Sequence, residues 1–255
     1  MSETMRERFI SVVGDLLDLD EKTVIVLAVI SHSLLADSGI EARHPERVID
    51  VGIREQAQIG VAAGLALEGF KPIVTGYAPF LVERTFEQVK LDFDHQGTSA
   101  ILASVGGSWD ASEWGRTHQA PEDVALMASL RSWTIHVPGH PDELEASLRH
   151  AHSKGARTYI RMTTDSNSTL HINEPGRVVT LKRGSKGAPT VLAIGPVADD
   201  VLTAAQDLDM TVAYTITPHP IDSVGLRAAV SGSDVLLVEQ KPVERVVRKL
   251  QTSFR

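Results

Sequence analysis

The chain has 255 residues, 42% of them hydrophobic and 23% charged, with a formal charge of −8 and no cysteine. That is enough apolar material for one generous core or two modest ones, and it excludes a disordered or fibrous chain. It also excludes a thiolate nucleophile, a disulfide framework and a cysteine metal site, and the acidity gives no surface that attracts phosphate backbones, so no nucleic acid is expected as a partner.

Taken in chain order, Met5, Phe9, Val12, Val13, Leu16 and Leu17 recur at three- and four-residue steps and predict an amphipathic first helix. Residues 1–8 are polar and charged, and no later apolar run reaches membrane-spanning length, so the expectation is a cytoplasmic chain without membrane contact. Residues 23–30 are apolar at nearly every position, as a strand buried on both faces requires. Further strands are expected at 48–51, 72–77, 100–105, 134–137 and 158–162, with helical patterns at 55–68, 79–94, 121–130 and 141–153. This alternation predicts an α/β class fold, a mostly parallel sheet flanked by helices.

A composition shift rich in Asn, Ser, Gly, Lys and Arg then predicts a linker at 166–188, with a small hairpin in it, between a first domain at 1–165 and a second at 189–255. The second domain offers strands at 190–194, 211–216 and 235–239, helices at 197–208 and 221–230, and a final helical stretch to residue 255. Three strands make a small, shortened α/β C-terminal domain that depends on packing against something else.

The segment 47–66 reads as a short strand, a turn and a helix carrying Gly60, Ala62, Ala63, Gly64 and Ala66. Small residues at that density predict close approach of another backbone, at a cost of about 1 kcal/mol per glycine in helix propensity. Glu55 opens this helix, where the amide dipoles favour a carboxylate. An isolated glutamate there would only complement the dipole.

Two more segments give Glu55 a different meaning. The run Val51-Gly52-Ile53-Arg54-Glu55-Gln56, leading into a small-residue helix, resembles the signature of the pyrimidine-binding domain of transketolases, 1-deoxyxylulose-5-phosphate synthases and related enzymes. Residues 69–81, with Gly76-Tyr77-Ala78-Pro79-Phe80, followed by Arg84-Thr85-Phe86, resemble the family's next strand and aromatic helix start. Gly115-Arg116-Thr117-His118-Gln119 resembles the segment that precedes its next helix, and Thr215-Ile216-Thr217-Pro218-His219-Pro220 and Val238-Glu239-Gln240 extend the likeness into the second domain.

The resemblance implies a transketolase C-terminal section that shares thiamine diphosphate with another chain. Glu55 would hydrogen-bond N1′ of the aminopyrimidine and favour its imino tautomer, Tyr77 and Phe80 would form the aromatic wall for the ring, and Ile53 and Arg84 would complete the cofactor pocket. His118 would stabilise a developing oxyanion or relay a proton, while Arg161, His32 and Trp114 are substrate candidates; for Arg161, closing a domain interface stands as an equal alternative. The family's Gly-Asp-Gly motif with its following Asn, which holds Mg²⁺ and the diphosphate, has no counterpart in the sequence. No metal ligand is therefore expected here: Mg²⁺ would be bound by the partner, an N-terminal-section subunit, in a heterodimer or heterotetramer acting on a small keto substrate.

Trp114, Gly106 and Val29 stand where sugar-phosphate transketolases carry an aspartate, a histidine and another aspartate, so the expected reaction is a ketol or acyl transfer with a specialised substrate, as in secondary metabolism. A 1-deoxyxylulose-5-phosphate-synthase-like subunit, a 2-oxoacid dehydrogenase β-like subunit and a non-catalytic scaffold are the competing readings.

Overall fold

The computed structural model describes residues 3–110 and 112–240. Helix α1 (Met5–Leu19) opens on a capping box: Thr4 Oγ1 accepts from Glu7 N–H at 3.2 Å, and the Glu7 carboxylate accepts from Thr4 N–H at 2.8 Å. Strand β1 (Thr23–Leu27), buried throughout, follows, and two short helices, α2 (His32–Asp37) and α3 (Ile40–Arg43), lead to β2 (Val48–Asp50). Next come α4 (Glu55–Leu67), β3 (Lys71–Tyr77), an irregular helical stretch containing α5 (Phe86–Gln88), β4 (Ile101–Val105), α6 (Asp123–Ser129), β5 (Thr134–His136), α7 (Pro141–Lys154) and β6 (Thr158–Arg161).

These six strands form one sheet in the order β2-β1-β3-β4-β6-β5, and every neighbouring pair is parallel. Alternate strand residues face two cores, as the pleat demands. Ile25 and Leu27 pack with Phe9, Val13, Leu144 and Leu148 from α1 and α7, whereas Val26, Val74 and Leu102 pack with Ile59, Ala62, Phe93 and Met127 on the opposite face.

A second sheet, in the order β10-β8-β9-β7, is built from β7 (Val179–Lys182), β8 (Thr190–Ile194), β9 (Thr211–Thr215) and β10 (Val235–Val238), with α8 (Ala198–Ala204) and α9 (Ser223–Ala229) against it. Leu192, Ile194, Leu226 and Leu237 join Trp133, Ile135 and Val137 in a core continuous with that of the first sheet. No helix among the described residues is long and apolar enough to cross a membrane.

Several expectations are corrected. Strand β1 stops at Leu27 rather than residue 30, because Val29 turns at φ 70° with its N–H on Asp50 Oδ1 at 3.0 Å. The single helix expected at 79–94 is broken into π-helical turns, Pro79–Glu83 and Val89–His95, around α5; Thr85 leaves helical geometry and its hydroxyl donates to Leu81 O at 2.6 Å. The stretch expected as linker and hairpin supplies β7, which pairs antiparallel with β9, so the second sheet has a fourth strand. The final helical stretch expected up to residue 255 lies outside the described residues.

The two sheets meet along β5, where Ile135 N–H donates to His219 O and Val137 N–H to Ile216 O, both at 2.7 Å. They are tied again by Arg161, 1% exposed, whose guanidinium reaches Asp123 Oδ1 at 3.1 Å and Glu239 Oε2, just past β10, at 3.5 Å. Tyr159 donates its hydroxyl to Asp123 Oδ2 at 2.7 Å. Arg161 is thus an interior ion-pair residue that ties the two units together through Nη1 and Nη2, the domain-closing alternative of the two considered for it, while its buried Nε has no hydrogen-bond partner.

Two consequences are measurable. Replacing Asp123 with Ala leaves a buried guanidinium half-paired, and should lower the unfolding free energy by about 3–5 kcal/mol in denaturant titration. His136, 2% exposed on β5, is pushed from its ordinary 6.5 down to about 4, first by burial and then by the nearby His150. Because the folded value is depressed, the neutral ring's contribution is present above pH 6.5 and lost as pH falls toward 4. Unfolding free energies measured across that window should drop by up to about 3 kcal/mol more in the native chain than in His136→Gln.

Candidate active site

The candidate residues gather at the carboxyl ends of β1, β2, β3 and β4, where open α/β sheets form their crevices. Asp50, last in β2, organises this edge: its Oδ1 accepts from Val29 N–H at 3.0 Å and Gly52 N–H at 2.8 Å, and its Oδ2 meets His32 Nδ1 at 2.9 Å. Val29 is a branched residue held in the left-handed region, a strained conformation that this bond secures. Gly52, at φ 69°, then turns the chain into α4.

Glu55 is the first residue of α4 and is 4% exposed. One turn on, the buried Gln58 donates to Val26 O and Thr75 O, both at 2.9 Å, and so pins α4 across β1 and β3. The Glu55 carboxylate accepts from Arg84 Nη1 at 2.8 Å, and the Arg84 guanidinium lies 4.4 Å above the centre of the Phe80 ring.

From Phe80 the contacts continue through rings. Tyr77 and Phe80 meet edge to face at 6.1 Å, and His118 lies 5.3 Å from each. Trp114, 58% exposed, sits tilted 5.2 Å from His118 on the outer side. His118 is carried on a loop closed at its base by Ser108 and Ala120, which exchange backbone hydrogen bonds at 3.0 and 3.1 Å. The Thr117 hydroxyl lies 3.2 Å from Trp114 O and 2.9 Å from His118 Nδ1, so Nδ1 is the ring nitrogen engaged by the loop itself.

Gly106, at φ 72°, makes this packing feasible: a Cβ there would lie 2.7 Å from His118 O and 2.9 Å from Tyr77 Cδ1. The histidine that the resemblance places at this position in sugar-phosphate transketolases would have no space here. Beyond Tyr77 and Trp114 opens a cavity of about 280 Å³ that also touches Gly106, Thr163 and Arg6.

The structure therefore brings together Glu55, Arg84, Phe80, Tyr77, His118 and Trp114. His32 lies at the rim with both ring nitrogens engaged, Nδ1 by Asp50 and Nε2 by Glu41 at 3.1 Å, while Ile53 is 74% exposed beside the crevice. Arg161 lies in the interior, away from this cluster. Arg6 was not anticipated. It sits in the first turn of α1, donates from Nη2 to Ser31 Oγ at 3.3 Å, and has a buried Nε with no hydrogen-bond partner. Its only sequence signal is a polar position on an otherwise apolar-periodic helix. The small-residue face of α4 divides: Ala62 and Ala63 are buried against the sheet, whereas a Cβ on Gly60 or Gly64 would meet nothing within 4 Å.

Comparison with known proteins gives a consistent result. The family model for the transketolase pyrimidine-binding domain matches residues 4–168. The chain is 42% identical over 226 residues to an uncharacterized 33.6 kDa protein in the fasciation locus of Rhodococcoides fascians, covering 88% of this chain and 71% of that protein. It is 28% identical over 260 residues to an apulose-4-phosphate transketolase subunit of Actinobacillus succinogenes, covering 98% and 81% of the two chains. Among solved structures, a split-gene transketolase, described as an inactive beta4 tetramer, superposes with a TM-score of 0.86 at 27% identity, covering 100% of this chain and 87% of that one.

The dependence on Gly106 is testable without any ligand. Gly106→Ala adds a left-handed alanine and a clash with Tyr77, and should cost about 2 kcal/mol or more in denaturant unfolding while changing the near-ultraviolet signature of the Tyr77 and Trp114 environment.

Proposed function

The chain belongs to the transketolase pyrimidine-binding domain family, and from that premise we propose that it is one subunit of a two-part, thiamine diphosphate-dependent transferase that moves a ketol or acyl unit between small keto substrates. The observation that carries this reading is the buried Glu55 carboxylate at the head of α4, linked through Arg84 to the Tyr77–Phe80–His118 rings. A carboxylate beside aromatic faces suits a flat heteroaromatic ring with a basic nitrogen, so the residues present fit the aminopyrimidine end of the cofactor. When bound, thiamine diphosphate supplies a carbon nucleophile that adds to a carbonyl carbon and carries the transferred unit.

The residues of this chain would divide the work around it. Glu55 holds a proton at the ring nitrogen N1′, with Arg84 keeping the carboxylate in place. Tyr77 and Phe80 give the ring its wall, an aromatic contact of about 0.5–1.5 kcal/mol beyond area burial. His118, with Nε2 free to face a reacting oxygen, takes up or returns the substrate proton. Arg6, at the cavity edge, meets an anionic substrate group, and Trp114 covers the mouth.

The partner reading has separate support. The sequence has no Gly-Asp-Gly motif with a following Asn. The diphosphate and Mg²⁺ would then fall to an N-terminal-section subunit seated against the exposed Ile53, Val61 and Leu67 beside the bare Gly60 and Gly64. The similar split-gene transketolase is described as an inactive beta4 tetramer. Trp114 and Gly106, in place of the side chains of sugar-phosphate transketolases, favour a specialised substrate.

In the complex reconstituted with the N-terminal-section subunit, Glu55→Ala should lower turnover by about 10²–10⁴-fold, the range for a positioned proton-transfer group, with the assembly intact by sedimentation. Unchanged turnover would sink the assignment, and a complex that binds but never turns over any ketose or 2-oxoacid donor would favour a scaffold.

A further inference from the structure

A second cavity, of about 350 Å³, lies at the junction of the two sheets, beside β5 and three strands across the first sheet from β3. Thr134 and His136, alternate residues of β5, line it together with His150 from α7, Arg177, Thr217 and Asp222. Nothing in the proposed transfer reaction uses these groups.

Hydrogen-bond accounting at His136 leaves a defined vacancy. Thr217 Oγ1 accepts from Gly176 N–H at 2.8 Å and lies 2.9 Å from His136 Nδ1. The hydroxyl has one proton to give, and among the described contacts Nδ1 is its acceptor. Nδ1 is therefore the unprotonated nitrogen and Nε2 carries the hydrogen. That Nε2–H is buried without a hydrogen-bond partner. Asp222 does not supply one: its carboxylate accepts from Val178 N–H at 3.1 Å and Gly225 N–H at 2.9 Å, at the start of α9. Burial holds the imidazole neutral well below physiological pH, so the ring remains a donor that wants an acceptor rather than a cation that wants a counter-ion.

We propose that this cleft binds a small molecule bearing an oxyanion, a carboxylate or a phosphate, with one oxygen on His136 Nε2–H and the anion's charge facing the exposed Arg177 guanidinium at the mouth. Its volume exceeds what an isolated ion fills, and Pro175, Pro220 and Ile221 give apolar contact to the remainder of the ligand.

The test uses the full chain, labelled with ¹⁵N and titrated separately with inorganic phosphate and with succinate, following the His136 side-chain nitrogens. A saturable shift with phosphate alone identifies a phosphoryl ligand, and one with succinate alone identifies a carboxylate; either supports the site. Arg177→Ala, a surface change, should weaken that binding about tenfold or more, and His136→Gln should abolish the response at Thr217. No saturable shift with either anion, or a shift that Arg177→Ala leaves unchanged, overturns the proposal. Because the cleft is separate from the Glu55 crevice, loss of this binding with transfer activity retained, or the reverse, tells the two readings apart.

Discussion

The arrangement at the crevice depends on two consecutive residues that have no side chain. A Cβ on Gly106 would strike the Tyr77 ring and the His118 carbonyl, and a Cβ on Gly107 would overlap Arg161 and Asp123. The backbone leaving β4 thus runs in contact with the aromatic cluster on one side and with the buried ion pair on the other. Any larger residue would separate the histidine loop from the sheet or push the guanidinium from its carboxylates. A steric constraint of two positions fixes both the chemistry-bearing edge and the seam between the sheets.

Around that seam the molecule invests its buried charge in joining units rather than in reaction. Glu143, fully buried at the start of α7, accepts from Gly139 N–H and from the Tyr214 hydroxyl of β9, both at 2.7 Å, and from Ile172 N–H at 3.2 Å. Arg161 joins Asp123 to Glu239 in the same way. Charged groups placed like this cost desolvation and return geometric definition, since another docking of the two sheets would separate these donors from their acceptors. The crevice has the opposite character. Glu55 has one ion-pair partner, Arg84, which is itself 41% exposed along its side chain, and the face of α4 around Gly60 and Gly64 is bare.

Much of this was legible in the residue order, and the reasons are physical. Strands buried on both faces are nearly continuous apolar runs, so β1, β3, β4, β8 and β9 announce themselves. Tyr77, Phe80, His118 and Glu55 were grouped by a family likeness that spans nearly the whole chain, not by periodicity. What periodicity could not show was local hydrogen bonding that competes with regular structure: Asp50 capturing the Val29 amide ends β1 early, and the Thr85 hydroxyl interrupts the helix expected from residue 79. Strand β7 was hidden because an edge strand with one exposed face and a register shift between Thr180 and Lys182 carries polar residues that read as linker. The place of Arg6 was invisible for another reason, since it depends on a cavity and Ser31 across space from it, whereas for Arg161 the sequence left interface closure and substrate contact as equal alternatives and the two facing carboxylates favour the first.

The Arg161 seam also bears on the order in which the polypeptide can mature. Strand β6 and helix α6 are complete once residue 161 has been synthesised, but Glu239, the second carboxylate on that guanidinium, emerges from the ribosome almost eighty residues later, as does Gln240, whose carbonyl accepts from Ser108 Oγ at 2.7 Å. Until then Arg161 has Asp123 as its carboxylate partner but lacks the contact that ties it to the second sheet. This tie between the two sheets can therefore form only after residues 235–240, β10 and the turn beyond it, have been synthesised.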